Sequence, residues 1–207
     1  MRRETVKTVL TAIFVTCMVV ANILAAKQVQ LPFGLTITAG AVVFPITYAL
    51  SDVFSECYGY RWSRFTCYLA LAANLIAVTA FAAAIAMPAA AYWDGQEAFA
   101  ATLGSAPRIL LASAVSYVVG DLANDRVFRS MKDRQGDGGF CIRAFTSSVL
   151  GEIFDSGLFY LIAFAGVIPA PDLIMLVVYG FLIKTATEIA VMPITSETVR
   201  FVKGIEG

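Results

Sequence analysis

The sequence predicts an all-α polytopic membrane protein: a single transmembrane domain over residues 1–207, with six helices and both termini in the cytoplasm. Three observations carry that expectation. Of 207 residues, 59% are apolar and 14% charged, with a mean hydropathy of +0.77. A soluble domain carries about 45–50% apolar and about 25% charged residues. Six stretches are long enough to cross about 30 Å of hydrocarbon, which takes roughly 20 mostly apolar residues. Lys and Arg then fall almost entirely on one side of the membrane.

Taken in order, the spans are expected near 6–26, 36–54, 62–87, 107–127, 143–167 and 171–193. Met-Arg-Arg ahead of the first apolar run resembles the start of a signal peptide. The candidate cleavage positions near Ile23–Ala26 put a bulky residue at −3, which is a poor site, so the helix is read as retained. Pro45 lies inside the second span, where a proline kinks or breaks a helix. The third span is very rich in alanine, and faces such as Ala73 with Ala77 permit close helix contact and a homo-oligomer. Between the third and fourth spans, residues 88–106 carry Tyr92, Trp93 and Phe99. They read as an interfacial amphipathic piece or a partial lid. The connection at 132–140 is polar and glycine-rich, a flexible linker.

Orientation follows from charge. With the N-terminus inside, the cytoplasmic side holds Arg2, Arg3, Lys7, Arg61, Arg64, Arg126, Arg129, Lys132, Arg134, Arg143, Arg200 and Lys203. The opposite side holds Lys27 and Arg108, and Lys184 falls within a span. Twelve against two obeys the positive-inside rule. The 15 basic and 15 acidic residues cancel, so no basic excess exists to neutralise a phosphate backbone, and nucleic acid is excluded as a partner. There is no histidine, which removes His triads, His zinc sites and His-ligated haem. Cys17, Cys57, Cys67 and Cys141 form no C-x-x-C pair and read as small hydrophobes. Neither a metal nor a cofactor is expected.

A mere anchor would keep its spans apolar, and this chain does not. Glu152 and Asp155 lie near mid-bilayer in the fifth span, three apart and so on one face. Lys184 falls at a similar depth in the sixth, with Glu188 one turn further on. Asp121 lies in the fourth, and Asp52 with Glu56 ends the second. Each such group at mid-bilayer costs at least about 2.5–3.5 kcal/mol on insertion scales. One reading is a buried network, Lys184 with Glu152 or Asp155, that only locks helices together, although a buried pair is weak evidence for stability. The other is recognition of a small polar solute. A carboxylate accepts two N–H bonds from a planar heterocycle, and Lys184 balances its charge or donates to a ligand carbonyl. Asn22 and Asn74 add amides, while Phe44, Tyr48, Phe154, Phe159 and Tyr160 offer faces for stacking or simply pack. Arg108 reads as a solvated outer-face charge whose replacement should do little.

Four runs resemble one family. They are Phe44-Pro-Ile-Thr-Tyr-Ala-Leu-Ser-Asp-Val-Phe-Ser-Glu-Cys-Tyr-Gly-Tyr-Arg61, the stretch Ile109 to Asp121, Arg143-Ala-Phe-Thr-Ser-Ser-Val-Leu-Gly-Glu-Ile-Phe-Asp-Ser-Gly-Leu-Phe159, and Tyr179-Gly-Phe-Leu-Ile-Lys continuing to Pro193. Together they resemble the vitamin uptake transporter family, the bacterial and archaeal queuosine-precursor transporters, over nearly the whole chain. One departure stands at Glu152, where the family pattern commonly carries Gln. The resemblance implies uptake through the bacterial inner membrane of 7-cyano-7-deazaguanine and 7-aminomethyl-7-deazaguanine, for salvage into the queuosine of tRNA. It also implies a fold like the substrate-binding subunits of energy-coupling-factor vitamin importers, without their ATPase machinery. The expected substrate-binding set is Asp155, Glu152 and Lys184, with Asn22, Asp52, Glu56, Asp121 and Glu188.

Three alternatives remain. An energy-coupling-factor substrate-binding subunit would need a partner ATPase. An intramembrane protease is disfavoured, because rhomboid chemistry needs a histidine and the presenilin Gly-x-Gly-Asp is broken by Val118. A structural membrane protein would tolerate loss of its polar residues.

Overall fold

The computed structural model describes residues 3–135 and 140–204. Of the connection expected as a flexible linker at 132–140, residues 136–139 lie outside the described residues, while 132–135 continue α5 and Phe140 opens α6. The chain is mostly helical: α1 (Arg3–Leu24), a hairpin of β1 (Gln28–Gln30) and β2 (Thr36–Thr38), α2 (Phe44–Val53), α3 (Tyr60–Ala86), α4 (Gln96–Leu103), α5 (Ala106–Gln135), α6 (Phe140–Phe164) and α7 (Ala170–Gly204). Four helical stretches among the described residues are long and apolar enough to cross a membrane: Glu4–Leu24, Tyr60–Ala86, Gln96–Asn124 and Ala170–Gly204. α6, 25 residues long, carries Glu152 and Asp155 within it.

Three expected elements take a different form. The stretch 36–54 is α-helical only from Phe44. Thr36, Ile37 and Thr38 are β-branched and pair with β1, since branched side chains fit a pleated strand better than a helix. Gly34 turns the hairpin at φ 76, a left-handed conformation that glycine adopts without steric cost. Pro45 starts α2 instead of kinking it. In the first turn its missing N–H removes no helical bond. Beyond Tyr58, Gly59 at φ 83 sets the sharp break before α3, after a π-helical turn over Phe54–Tyr58. Residues 88–106 contain α4, where Gln96 Nε2 donates to Ile85 O at 2.9 Å and Trp93 meets Phe99 edge-on. Finally, α7 runs past Pro193 to Gly204, its last turns anchored by Val199 and Val202.

Large side chains are exposed along the long helices. Leu75 and Ile76 on α3 and Ile174, Ile189 and Ile194 on α7 are each more than half exposed. Contiguous apolar surface on this scale is incompatible with water and suited to lipid. This is a multi-pass membrane protein.

The chain divides into two compact units. One comprises Met1–Val29, Thr38–Pro107 and Ala186–Gly207, the other Gln30–Ile37 and Arg108–Thr185. The first is built on α1, which packs against α2 and α3. Phe14, Leu50, Phe54 and Ala70 are buried together, with Phe14 edge-on to Phe54 at 5.6 Å. A second cluster joins Val6, Val53, Cys57 and Val202. Gly40 lies against α1 so closely that a Cβ there would sit 2.9 Å from Ala21 O. The second unit holds most of α5, all of α6 and the first half of α7. Its core includes Ile109, Phe159, Tyr160, Phe164 and Leu176, all buried.

Candidate functional site

The charges of the second unit converge midway along α6. Glu152 and Asp155, separated by three residues, face α7, where Lys184 and Thr185 meet them. Lys184 Nζ donates to Asp155 Oδ2 at 2.8 Å, and Thr185 Oγ1 donates to Glu152 Oε2 at 3.0 Å. A charge-assisted bond of that length is a strong one. The Lys184 side chain is 10% exposed and that of Asp155 28%. At about 1.5 Å per residue, Asp155 lies about 14 Å along α6 from Phe164, close to half the thickness of a hydrocarbon core.

Glycines bring the helices close enough for these contacts. A Cβ on Gly120 of α5 would stand 2.9 Å from Gly151 O and 3.0 Å from Asp155 Cβ. One on Gly151 would stand 2.9 Å from Gly120 O and from Asn124 Cβ. α5 and α6 therefore cross backbone to backbone beside Asp155, as small residues permit in membranes. Between α6 and α7, the ring of Tyr160 occupies the space where a side chain on Gly180 would be. Tyr160 stacks on Phe164 at 6.2 Å, and Phe159 lies edge-on to both. These aromatics pack one another.

Arg108, read from sequence as a solvated charge, caps α6. Its Nε donates to Ile162 O at 2.6 Å and an Nη to Ala165 O at 2.5 Å. The last carbonyls of a helix lack intrahelical donors and carry the negative end of its dipole, so a guanidinium there is favourable. Residue spacing could not show this, because the role depends on where α6 ends in space. Thr185 was likewise missed, although its position beside Lys184 was the available signal.

The remaining expected residues divide as follows. Asn22 Nδ2 donates to Asn74 Oδ1 at 2.7 Å, and Asn74 Nδ2 donates to Ala70 O at 2.9 Å. Both amides are buried in the first unit, where they tie α1 to α3. Glu56 accepts from Lys203 across 147 positions of sequence, with both side chains about half exposed. That bond first, and the lysine charge second, hold the Glu56 carboxyl below its ordinary range. Asp52 is exposed on α2. Asp121 and Glu188 lie on α5 and α7, and their side chains are outside the described residues. Phe44 stacks with Tyr48 at 6.2 Å in the first unit.

An acid–lysine pair within membrane helices suits a reversible polar contact. It can exchange its mutual contact for a polar solute that donates to the carboxylate and accepts from the ammonium. One accepted bond uses a fraction of a carboxylate's acceptor capacity.

Residues 38–197 match the family described as "Putative vitamin uptake transporter", a stretch that contains both α6–α7 polar contacts. A Bacillus subtilis (strain 168) protein named "Probable queuosine precursor transporter" is 26% identical over 176 residues, which is 84% of this chain and 76% of that relative. No solved structure matches. The matched names are those of transporters and the polar groups inside the helices suit a transported solute, so the chain is a transporter, not an enzyme. It belongs to the vitamin uptake transporter family.

Proposed function

We propose that this chain imports queuosine precursors, 7-cyano-7-deazaguanine and 7-aminomethyl-7-deazaguanine, across the bacterial inner membrane for salvage into tRNA. The observation that carries the reading is the Asp155–Lys184 pair midway along α6 and α7, inside a family match that covers most of the chain. The name of the Bacillus subtilis relative supports the substrate class. The deazaguanine edge offers a ring N–H and an exocyclic amine to Asp155 and a carbonyl to Lys184, which is complementary to the pair in both sign and direction. Glu152 and Thr185 extend the same seam. Asp52, Glu56, Asp121 and Glu188 are assigned to the inner half of the path or to its opening. Asn22, bonded to Asn74, is assigned to holding α1 against α3 and not to the ligand.

In this reading six segments cross the bilayer, both termini are cytoplasmic, and the arrangement resembles an energy-coupling-factor substrate-binding subunit. The twelve-to-two distribution of Lys and Arg supports the orientation.

The test is salvage in a bacterial host that can neither make queuosine nor import its precursors. The protein is expressed, nanomolar 7-cyano-7-deazaguanine is supplied, and queuosine in tRNA is assayed. Restored modification that is lost in Asp155→Ala is the expected result. A well-inserted protein that restores nothing with either precursor rejects the substrate. Restoration only alongside a co-purifying ATPase would convert the chain into a subunit of a larger importer.

A further inference from the structure

Five buried hydroxyls in the membrane helices behave alike. Thr11, Thr47, Thr66, Ser116 and Thr195 each return their proton to the backbone carbonyl three or four residues earlier. This is the usual way a helix absorbs a hydroxyl that has left water. Ser156 does not. It is completely buried, and its Oγ has no hydrogen-bond partner among the described residues. An unbonded buried hydroxyl destabilises the state that contains it, so each such group in a native structure calls for an explanation.

Its position supplies one. Ser156 lies one helical turn after Glu152 and one before Tyr160, on the α6 face that both share. Glu152 meets Thr185 of α7, and Tyr160 fills the space beside Gly180. Ser156 therefore sits on the α6–α7 seam between those two contacts, next in sequence to the Asp155 that holds Lys184. The seam at this level is closed by polar contacts, which a polar ligand can replace one for one. Apolar packing offers no such exchange.

We infer that Ser156 is a specificity-determining residue of the substrate site. Its hydroxyl is held without a backbone bond so that it can bond the polar edge of a planar nitrogen heterocycle that parts the Asp155–Lys184 pair. This rests on the substrate reading proposed above. A hydroxyl both donates and accepts, so it completes a set in which Asp155 only accepts and Lys184 only donates.

The test compares Ser156→Ala and Ser156→Cys with the unaltered chain, using radiolabelled 7-cyano-7-deazaguanine. Uptake kinetics are measured alongside thermal unfolding of the purified protein without ligand. Cysteine keeps the volume and loses the strong hydrogen bond. Both variants should raise KM about three- to tenfold, the loss expected for one hydrogen bond, with the maximal rate within about twofold. Ser156→Ala should leave the ligand-free protein as stable as the parent or more so, because it removes an unbonded polar group. A merely structural serine would lose stability instead.

A KM within twofold of the parent in Ser156→Cys overturns the inference, as does a fall in ligand-free stability in Ser156→Ala without a change in KM. Should the alanine variant fail to insert, the cysteine variant alone decides. Asp155→Ala serves as the control. If it still transports, the site itself is wrongly placed and Ser156 with it. If the unaltered chain takes up no probe, the substrate reading and this inference both fall.

Discussion

The two units handle polarity inside apolar helices in opposite ways. In the first, the buried tie is neutral: Asn22 bonds Asn74, and Asn74 bonds the backbone at Ala70. Among its described charges, Glu56 and Lys203 bond with both side chains about half exposed, and Lys7 stands over an aromatic face, 3.6 Å from the Trp62 ring centre. In the second, full charges stand halfway along α6 and α7 and are largely covered. A neutral amide pair loses little on leaving water, whereas an ion pair recovers its desolvation only with good geometry. Helix cohesion alone is served by amides. In the function proposed above, charges halfway along two helices serve a solute that is bound there and released.

The largest effect should follow from removing the charged centre. Asp155→Ala should lower uptake at least about a hundredfold while the protein still inserts, read by transport and by membrane fractionation. That is the scale of losing a charge-assisted contact worth about 3 kcal/mol. Near-normal uptake would mean that the second unit's charges are as structural as the first unit's amides.

Next in size is Gly180→Ala. A Cβ there overlaps the Tyr160 ring, so α6 and α7 must separate where Lys184 reaches Asp155. Overpacking of this kind costs about 1–3 kcal/mol, and both thermal stability and uptake should fall. In the first unit, Asn74→Ala removes the oxygen that accepts from Asn22 Nδ2. It should lower stability by about 1 kcal/mol, as interhelical bonds in membranes do, and leave KM for the precursor within twofold. A large rise in KM would return Asn22 to the ligand site.

Arg108→Ala removes the donors at the end of α6. A loss of about 0.5–1 kcal/mol is expected, seen as a lower unfolding temperature and faster amide exchange near Phe164. The smallest effect belongs to Glu56. Its folded-state pKa is depressed, so its bond to Lys203 contributes above the ordinary carboxylate pKa of about 4.3. The contribution is lost as pH falls through the lower folded value. The difference in unfolding temperature between the parent and Glu56→Gln should be small near pH 7 and shrink as pH drops below about 4. Added salt should reduce it further, because both side chains are exposed.

Some of this was readable in the chain and some was not. Apolar runs marked α1, α3, α5 and α7, because length and hydropathy are additive properties of a segment. The run at 36–54 misled for the same reason. Its apolar content is real, but three β-branched residues open it as a strand, a 3-10 turn follows over Ala39–Val42, and Pro45 stands in the first turn of a helix of only 10 residues. The i, i+3 spacing of Glu152 and Asp155 placed both carboxylates on one face. The same spacing left open which of them Lys184 would reach, since a long flexible side chain covers either.

By itself, then, the sequence determined that this is a helical membrane protein whose apolar runs carry ionisable residues. Composition, periodicity and spacing carry those facts without reference to a partner helix. Only the tertiary structure decided that Lys184 pairs with Asp155 while Thr185 takes Glu152, that Gly120, Gly151 and Gly180 let three helices close on that point, that Arg108 caps α6, and that Ser156 keeps an unbonded hydroxyl on the seam. Each of those depends on the register between helices distant in sequence, set by how glycines and aromatics interlock.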